Sequence, residues 1–158
     1  MHIVAIVDTK KPEEAAAYLA QVRLLLSDFA ALSPCCDLVY LDSANSHLAV
    51  VDGTGDAPRV LGLHRQLELL RCRLPSHVRG PTRVETGDPA SFARAPGSDV
   101  RALVVCASHP HAWRLIQHAS IPVWVVPEAD VQSAADLDLY KKTDHVIPFA
   151  RAPRSRFP

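Results

Sequence analysis

The chain has 158 residues, of which 48 % are hydrophobic and 22 % charged, the proportions of a globular domain rather than of a disordered chain. One domain of that length buries roughly 68–70 % of its unfolded surface, so it needs neither a disulfide nor a metal to hold a core. Seventeen basic side chains balance seventeen acidic ones, which removes any long-range pull toward nucleic acid or an anionic membrane.

Ile3 to Val7 (IVAIV) is a continuous apolar run rich in β-branched residues, the pattern of a strand covered on both faces. Met1 leads straight into it without the basic and long apolar segments of a secretory leader. No apolar run approaches the roughly 18 residues of a membrane span. Cys35, Cys36, Cys72 and Cys106 include no C-x-x-C pair, so the expectation is a cytoplasmic protein with reduced thiols. The vicinal Cys35-Cys36 reads as two small fillers leading into a strand rather than as a redox pair.

After the first strand, Pro12 sits where a proline opens a helix, with Glu13 and Glu14 in the first turn. Ala15, Leu19, Val22, Leu26 and Phe29 then recur at intervals of three and four as one buried stripe. Ser33-Pro34 ends this helix, and Asp37 to Leu41 (DLVYL) forms the second strand. Residues 44–58 read as a long loop, and Val60, Leu63, Leu67, Leu70 and Leu74 as a second helical stripe. Thr82 to Glu85 is a third strand, and Pro89 opens a short helix through Arg94. Val100 to Cys106 (VRALVVC) is the fourth strand, Pro110 to His118 a helix capped by Ser108 or His109, and Ile121 to Val126 (IPVWVV) the fifth strand.

Strands alternating with helices at this spacing predict an α/β fold with a five-stranded, mainly parallel sheet. Residues 1–127 would form that domain and residues 128–158 a C-terminal extension. Within the extension, Glu128 to Asp138 reads as a helix, His145 to Phe149 as an edge strand because Pro148 cannot sit in a sheet centre, and Arg151 to Pro158 as a disordered tail.

The order of segments resembles the universal stress protein family. The resemblance is carried by IVAIVD at Ile3 to Asp8, by ETGDP at Glu85 to Pro89, by SDVRALVVCAS at Ser98 to Ser108 and by SIPVWVVP at Ser120 to Pro127. It implies a three-layer α/β/α, Rossmann-like fold of the adenine nucleotide α-hydrolase-like kind. It also implies a stress-response or regulatory role, and a homodimer formed through the last core strand, at Ile121, Val123, Trp124, Val125 and Val126. Nucleotide-binding members carry glycines after the fourth strand that let main-chain amides reach phosphates. Here the equivalent stretch, Ala107 to Arg114, has no glycine, and Pro110 lacks an N–H altogether. The expectation is therefore a non-catalytic domain without a cofactor that does not bind ATP in the family manner.

Open α/β sheets place ligands at the carboxyl ends of strands. That rule makes Asp8, Thr9, Asp42, Ser108 and His109 candidates for a small nucleotide or another small ligand. Asp8 has two open roles, ligand contact and capping of the turn that follows. Lys10 and Lys11 could meet an anion from the same edge, although exposed lysines before a helix are common. Cys106, His109, His111 and His118 suggest a metal-dependent enzyme as an alternative, since imidazole and thiolate suit zinc or copper. Pro110 intervenes and no second cysteine is near, so surface histidines remain the plainer explanation, and no metal site is assigned. Ser108 lacks the flanking glycines of a nucleophile elbow. Arg151, Arg154 and Arg156 are too few to bind nucleic acid at physiological salt.

Overall fold

The computed structural model describes residues 1–43, 57–127 and the strand at 146–148. Ten main elements follow in chain order: β1 (His2–Ile6), α1 (Pro12–Asp28), β2 (Cys35–Asp42), α2 (Ala57–Arg71), β3 (Arg79–Thr86), α3 (Pro89–Arg94), β4 (Val100–Cys106), α4 (Ala112–His118), β5 (Val123–Val126) and β6 (Val146–Pro148). The six strands form one sheet in the order β3-β2-β1-β4-β5-β6, and every neighbouring pair is parallel. This is the strand order of doubly wound α/β proteins.

The layers follow from that order. The chain steps outward from β1 to β3, then crosses back to β4 and steps outward the other way. Right-handed crossovers put helices of opposite travel on opposite faces. Accordingly, Leu19, Val22 and Leu26 of α1 and Leu67 and Leu70 of α2 share one buried cluster with Ile3, Ala5, Leu38, Val104 and Trp124. Ala93 of α3 and Ala112, Leu115 and Ile116 of α4 share the other with Val4, Ile6, Leu103, Val105, Val123 and Val125. Each fully buried leucine or isoleucine adds roughly 1.5–3 kcal/mol.

The expected α/β architecture is present, with one strand more than the five-stranded core. β6 falls within residues 128–158 and pairs with β5, so that stretch contributes to the sheet. The expected helix at 128–138, residues 44–56 of the expected loop at 44–58 and the tail at 151–158 lie outside the described residues, while Ala57 and Pro58 belong to the start of α2 rather than to a loop. Alternation in β5 divides the side chains as the sequence indicates, Val123 and Val125 on one face and Trp124 and Val126 on the other. Trp124 stacks on Phe29 with ring centroids 5.0 Å apart and an interplanar angle of 11°. No helix among the described residues is long and apolar enough to cross a membrane.

β5 is not the edge strand that the dimer expectation requires. Its outer side is taken by β6, in the register Val123 to Val146, Trp124 to Ile147 and Val125 to Pro148. Val123, Trp124, Val125 and Val126 are all buried, and only Ile121, just before the strand, is partly exposed.

Candidate functional site

β1 and β4 are neighbours whose following helices leave toward opposite faces, and a crevice opens where they part. Ile6, Asp8, Lys11, Glu14, Ala15 and Tyr18 form one wall, and Cys106, Ser108, His109 and Pro110 the other. It encloses about 90 Å³, well below the roughly 300–1,000 Å³ of sites that engulf a drug-sized ligand. As shaped here, it admits a small ligand or one part of a larger one.

The first wall is built by the turn from β1 into α1. Asp8 Oδ1 accepts the Lys10 amide at 2.9 Å, a turn that an aspartate stabilises locally. Asp8 thus caps the turn and faces the crevice as well, so both of its open roles are compatible. Lys11 and Glu14 pair at 2.9 Å on the exposed first turn of the helix. Tyr18 lies deeper and donates to the Val104 carbonyl at 2.8 Å. Burial pushes its phenol well above the ordinary range, so it stays protonated.

The second wall is the loop from β4 into α4, and its main chain is already engaged. The Ala107 amide donates to Val126 O at 2.8 Å, that of His109 to Cys106 O at 3.0 Å and that of Ala112 to His109 O at 2.9 Å. The His111 amide donates to His109 Nδ1 at 3.2 Å. That bond requires Nδ1 of His109 to be an acceptor. Burial chiefly, and then the neighbouring His111, push His109 down to about 4, with Asp8 opposing weakly. The ring is therefore neutral at physiological pH, with its proton on Nε2. Cys106 Sγ and Ser108 Oγ lie 3.2 Å apart.

Of the candidate ligand residues, Asp8, Ser108 and His109 meet in this crevice. Thr9 is buried beside it. Asp42, also buried, ends β2 one strand further out and does not line it. Lys11 reaches the same edge, as its place in the sequence suggests. Glu14 and Tyr18 carry no sequence signal for a site. Neither does Ser43, whose hydroxyl lies 3.0 Å from His111 Nε2. A second hollow of about 190 Å³ lies off the end of β3. Its Asp88 is committed to the Ala90 amide at 3.3 Å and to Arg114 at 2.8 Å.

The four residues of the metal alternative do not converge. The His109 and His111 ring centroids are 5.7 Å apart, while His118 Nδ1 contacts Arg94 at 3.2 Å, on the α3–α4 side. Among the described residues, His2, Cys35 and Asp37 are the only group of three ligand-bearing side chains close enough to share an ion. They stand at the opposite end of the sheet.

Strand order and crevice together define an open, doubly wound α/β protein. No model of a known protein family matches this chain, and no curated protein matches it.

Proposed function

We propose that the chain is a non-catalytic regulatory domain on the universal stress protein plan, taking a small ligand in the β1–β4 crevice and not holding ATP as nucleotide-binding members of that family do. One observation carries this reading: the loop that would cradle a triphosphate has few amides left to offer. Those of Ala107, His109, His111 and Ala112 are bonded within the protein, and Pro110 has none. Unlike a helix start with free N–H groups, this loop gives a polyphosphate little to bind. The charge lining agrees, because Asp8 and Glu14 outnumber Lys11 and Lys11 is paired.

What remains accessible suits a small, uncharged or donor-rich group such as a nucleoside base. Asp8 offers carboxylate oxygens, Ser108 a hydroxyl, neutral His109 a ring N–H, and Ile6 and Ala15 an apolar floor. A dimer built by continuing the sheet would use β6, a three-residue strand that ends in Pro148, which has no amide to donate.

Thermal unfolding with adenosine, AMP, cyclic AMP and Mg-ATP tests the ligand reading. A ligand present at about 100 times its Kd adds about 2.7 kcal/mol to native stability. A nucleoside or monophosphate should raise Tm in the native chain and leave it unchanged in His109→Ala. A rise with Mg-ATP that exceeds the rise with adenosine would overturn the proposal, since the triphosphate would then be held by its phosphates.

A further inference from the structure

The amino end of the sheet carries chemistry that the crevice does not use. β1 and β2 start side by side, with His2 opposite Cys35. His2 Nε2 lies 2.8 Å from Asp37 Oδ1, and His2 Nδ1 lies 2.7 Å from Asp99 Oδ2. Asp37 is only 2 % exposed. Although Nε2 and Oδ1 are close, neither makes a properly directed hydrogen bond, and both atoms are buried. A buried carboxylate oxygen in that condition is costly. The thiol of Cys35 is within 4.8 Å of the ligand atoms of the other two.

We infer that His2, Cys35 and Asp37 form a binding site for a divalent transition-metal ion, with Zn²⁺ as the reference case, and that Asp99 orients the imidazole. Three observations bear on it. Nitrogen, sulfur and oxygen donors together select zinc-like ions over calcium or magnesium, which prefer all-oxygen shells. A carboxylate on the far nitrogen of a liganding histidine is the usual partner that fixes its tautomer and orientation, and Asp99 stands in that place. An ion attracts Oδ1 without the angular demands of a hydrogen bond, so it would satisfy the one oxygen of Asp37 that lacks a directed partner. The other oxygen stays with Arg83 at 3.3 Å, which makes Asp37 a one-oxygen ligand.

Charge and atoms balance without any redox step. On binding, Cys35 Sγ releases its proton to solvent, His2 coordinates through the Nε2 lone pair with a ring proton on Nδ1 toward Asp99, and one doubly charged ion enters between Asp37 and the thiolate. Donors on a tetrahedral ion with bonds of about 2.1–2.3 Å stand about 3.5 Å apart. The His2–Asp37 contact must therefore open slightly and the thiol move inward. Cys35 is exposed at the strand start, so a side-chain rotation supplies that movement. Three protein ligands leave a fourth position for water.

The full chain, reduced, untagged and stripped with chelator, should be titrated with Co²⁺, then with Zn²⁺ as competitor. The expected result is one ion per chain, a thiolate-to-cobalt charge-transfer band, and displacement by Zn²⁺. Cys35→Ser should abolish the band. Asp99→Asn should keep the band and weaken binding by about 10–100-fold. Cys72→Ser, at an exposed cysteine outside both this group and the crevice, should leave the band and the stoichiometry unchanged. Because Cys35 is exposed, its serine variant is expected to fold, and circular dichroism checks this. No stoichiometric uptake, or a band that survives Cys35→Ser, overturns the inference.

Discussion

The two ends of the sheet carry similar inventories of charged and polar side chains and use them in opposite ways. At the amino end, His2, Asp37, Asp99 and Arg83 pair their charges with one another, although Asp37 Oδ1 is left without a directed hydrogen bond. At the carboxyl end, Asp8, Ser108 and His109 face a crevice, and Asp8 and His109 bond to nearby main-chain amides rather than to opposite charges. The difference shows how burial sorts polar groups. A carboxylate that is 2 % exposed, like Asp37, must be compensated within the protein. One at a crevice mouth, like Asp8, can remain available to a ligand.

The sharpest way to break this contrast is to truncate the two aspartates. With a chelator present, Asp37→Ala should lower unfolding free energy by about 3 kcal/mol, the low end for removing one partner of a buried ion pair, because His2 and Arg83 keep some solvent contact. Asp8→Ala should lose only about 1 kcal/mol, the worth of a turn or cap hydrogen bond. Urea unfolding measures both. Equal losses would mean that the two ends are not differently buried, and the comparison would fail.

The next effect is a pH dependence rooted at the carboxyl end. His109 is held neutral, pushed from its ordinary 6.5 to about 4. Below 6.5 the unfolded chain takes up a proton at this site while the folded chain refuses it until about 4. Stability is therefore fully present above 6.5 and lost as pH falls through that window. The loss from this residue is on the order of 2 kcal/mol, discounted because the ring is partly exposed. His109→Gln should lose correspondingly less between pH 7 and pH 4. An unchanged pH profile in that variant would remove the case for a neutral, desolvated imidazole.

Two glycines sharpen the picture of the amino end. A Cβ on Gly80 would collide with the Asp37 carboxylate and approach its amide and the Cys36 carbonyl carbon at 2.9 Å. Gly80→Ala should cost about 1–3 kcal/mol, as overpacking against main chain does. A methyl group on Gly62, inside α2, would meet nothing within 4 Å, so Gly62→Ala should stabilise by up to about 1 kcal/mol. If both substitutions behaved alike, close approach at Asp37 would not explain Gly80.

How much of this is legible in the sequence depends on the distance between the residues involved. β4 is legible to the residue, because Ala102 to Cys106 is an unbroken apolar run, extended by Val100 across the exposed Arg101 and preceded by Asp99. β3 begins earlier than expected, at Arg79, since Gly80-Pro81 reads as a turn but lies inside the strand. Asp8, Ser108 and His109 are legible because strand ends are where such sheets place ligands. Asp42 obeys the same rule yet misses the crevice, because β2 is not at the switch point, and strand order is not written in local patterns. The His2–Asp99 contact joins residues 97 positions apart, and no spacing motif links either of them to Asp37 or Arg83. Those four meet only after β1, β2, β3 and β4 have paired in register. The α1 stripe is partly legible: Leu19, Val22 and Leu26 fit one row, while Tyr18 and Leu25 are also buried because the helix lies flat on the sheet and buries a wider face.

Tyr18 gives the smallest and most discriminating effect. Its hydroxyl donates to Val104 O at 2.8 Å in a buried setting, under the crevice that the proposed ligand would enter. Tyr18→Phe keeps the ring and its packing and leaves one β4 carbonyl without this donor, a loss of about 1 kcal/mol. Because the hydroxyl is committed to the strand, the variant should respond to ligand in thermal unfolding as the native chain does, with both curves shifted down together. A ligand response lost in Tyr18→Phe, at undiminished stability, would show that the hydroxyl leaves Val104 to meet the ligand, and the division between committed and available polar groups would have to be drawn one residue deeper into the crevice.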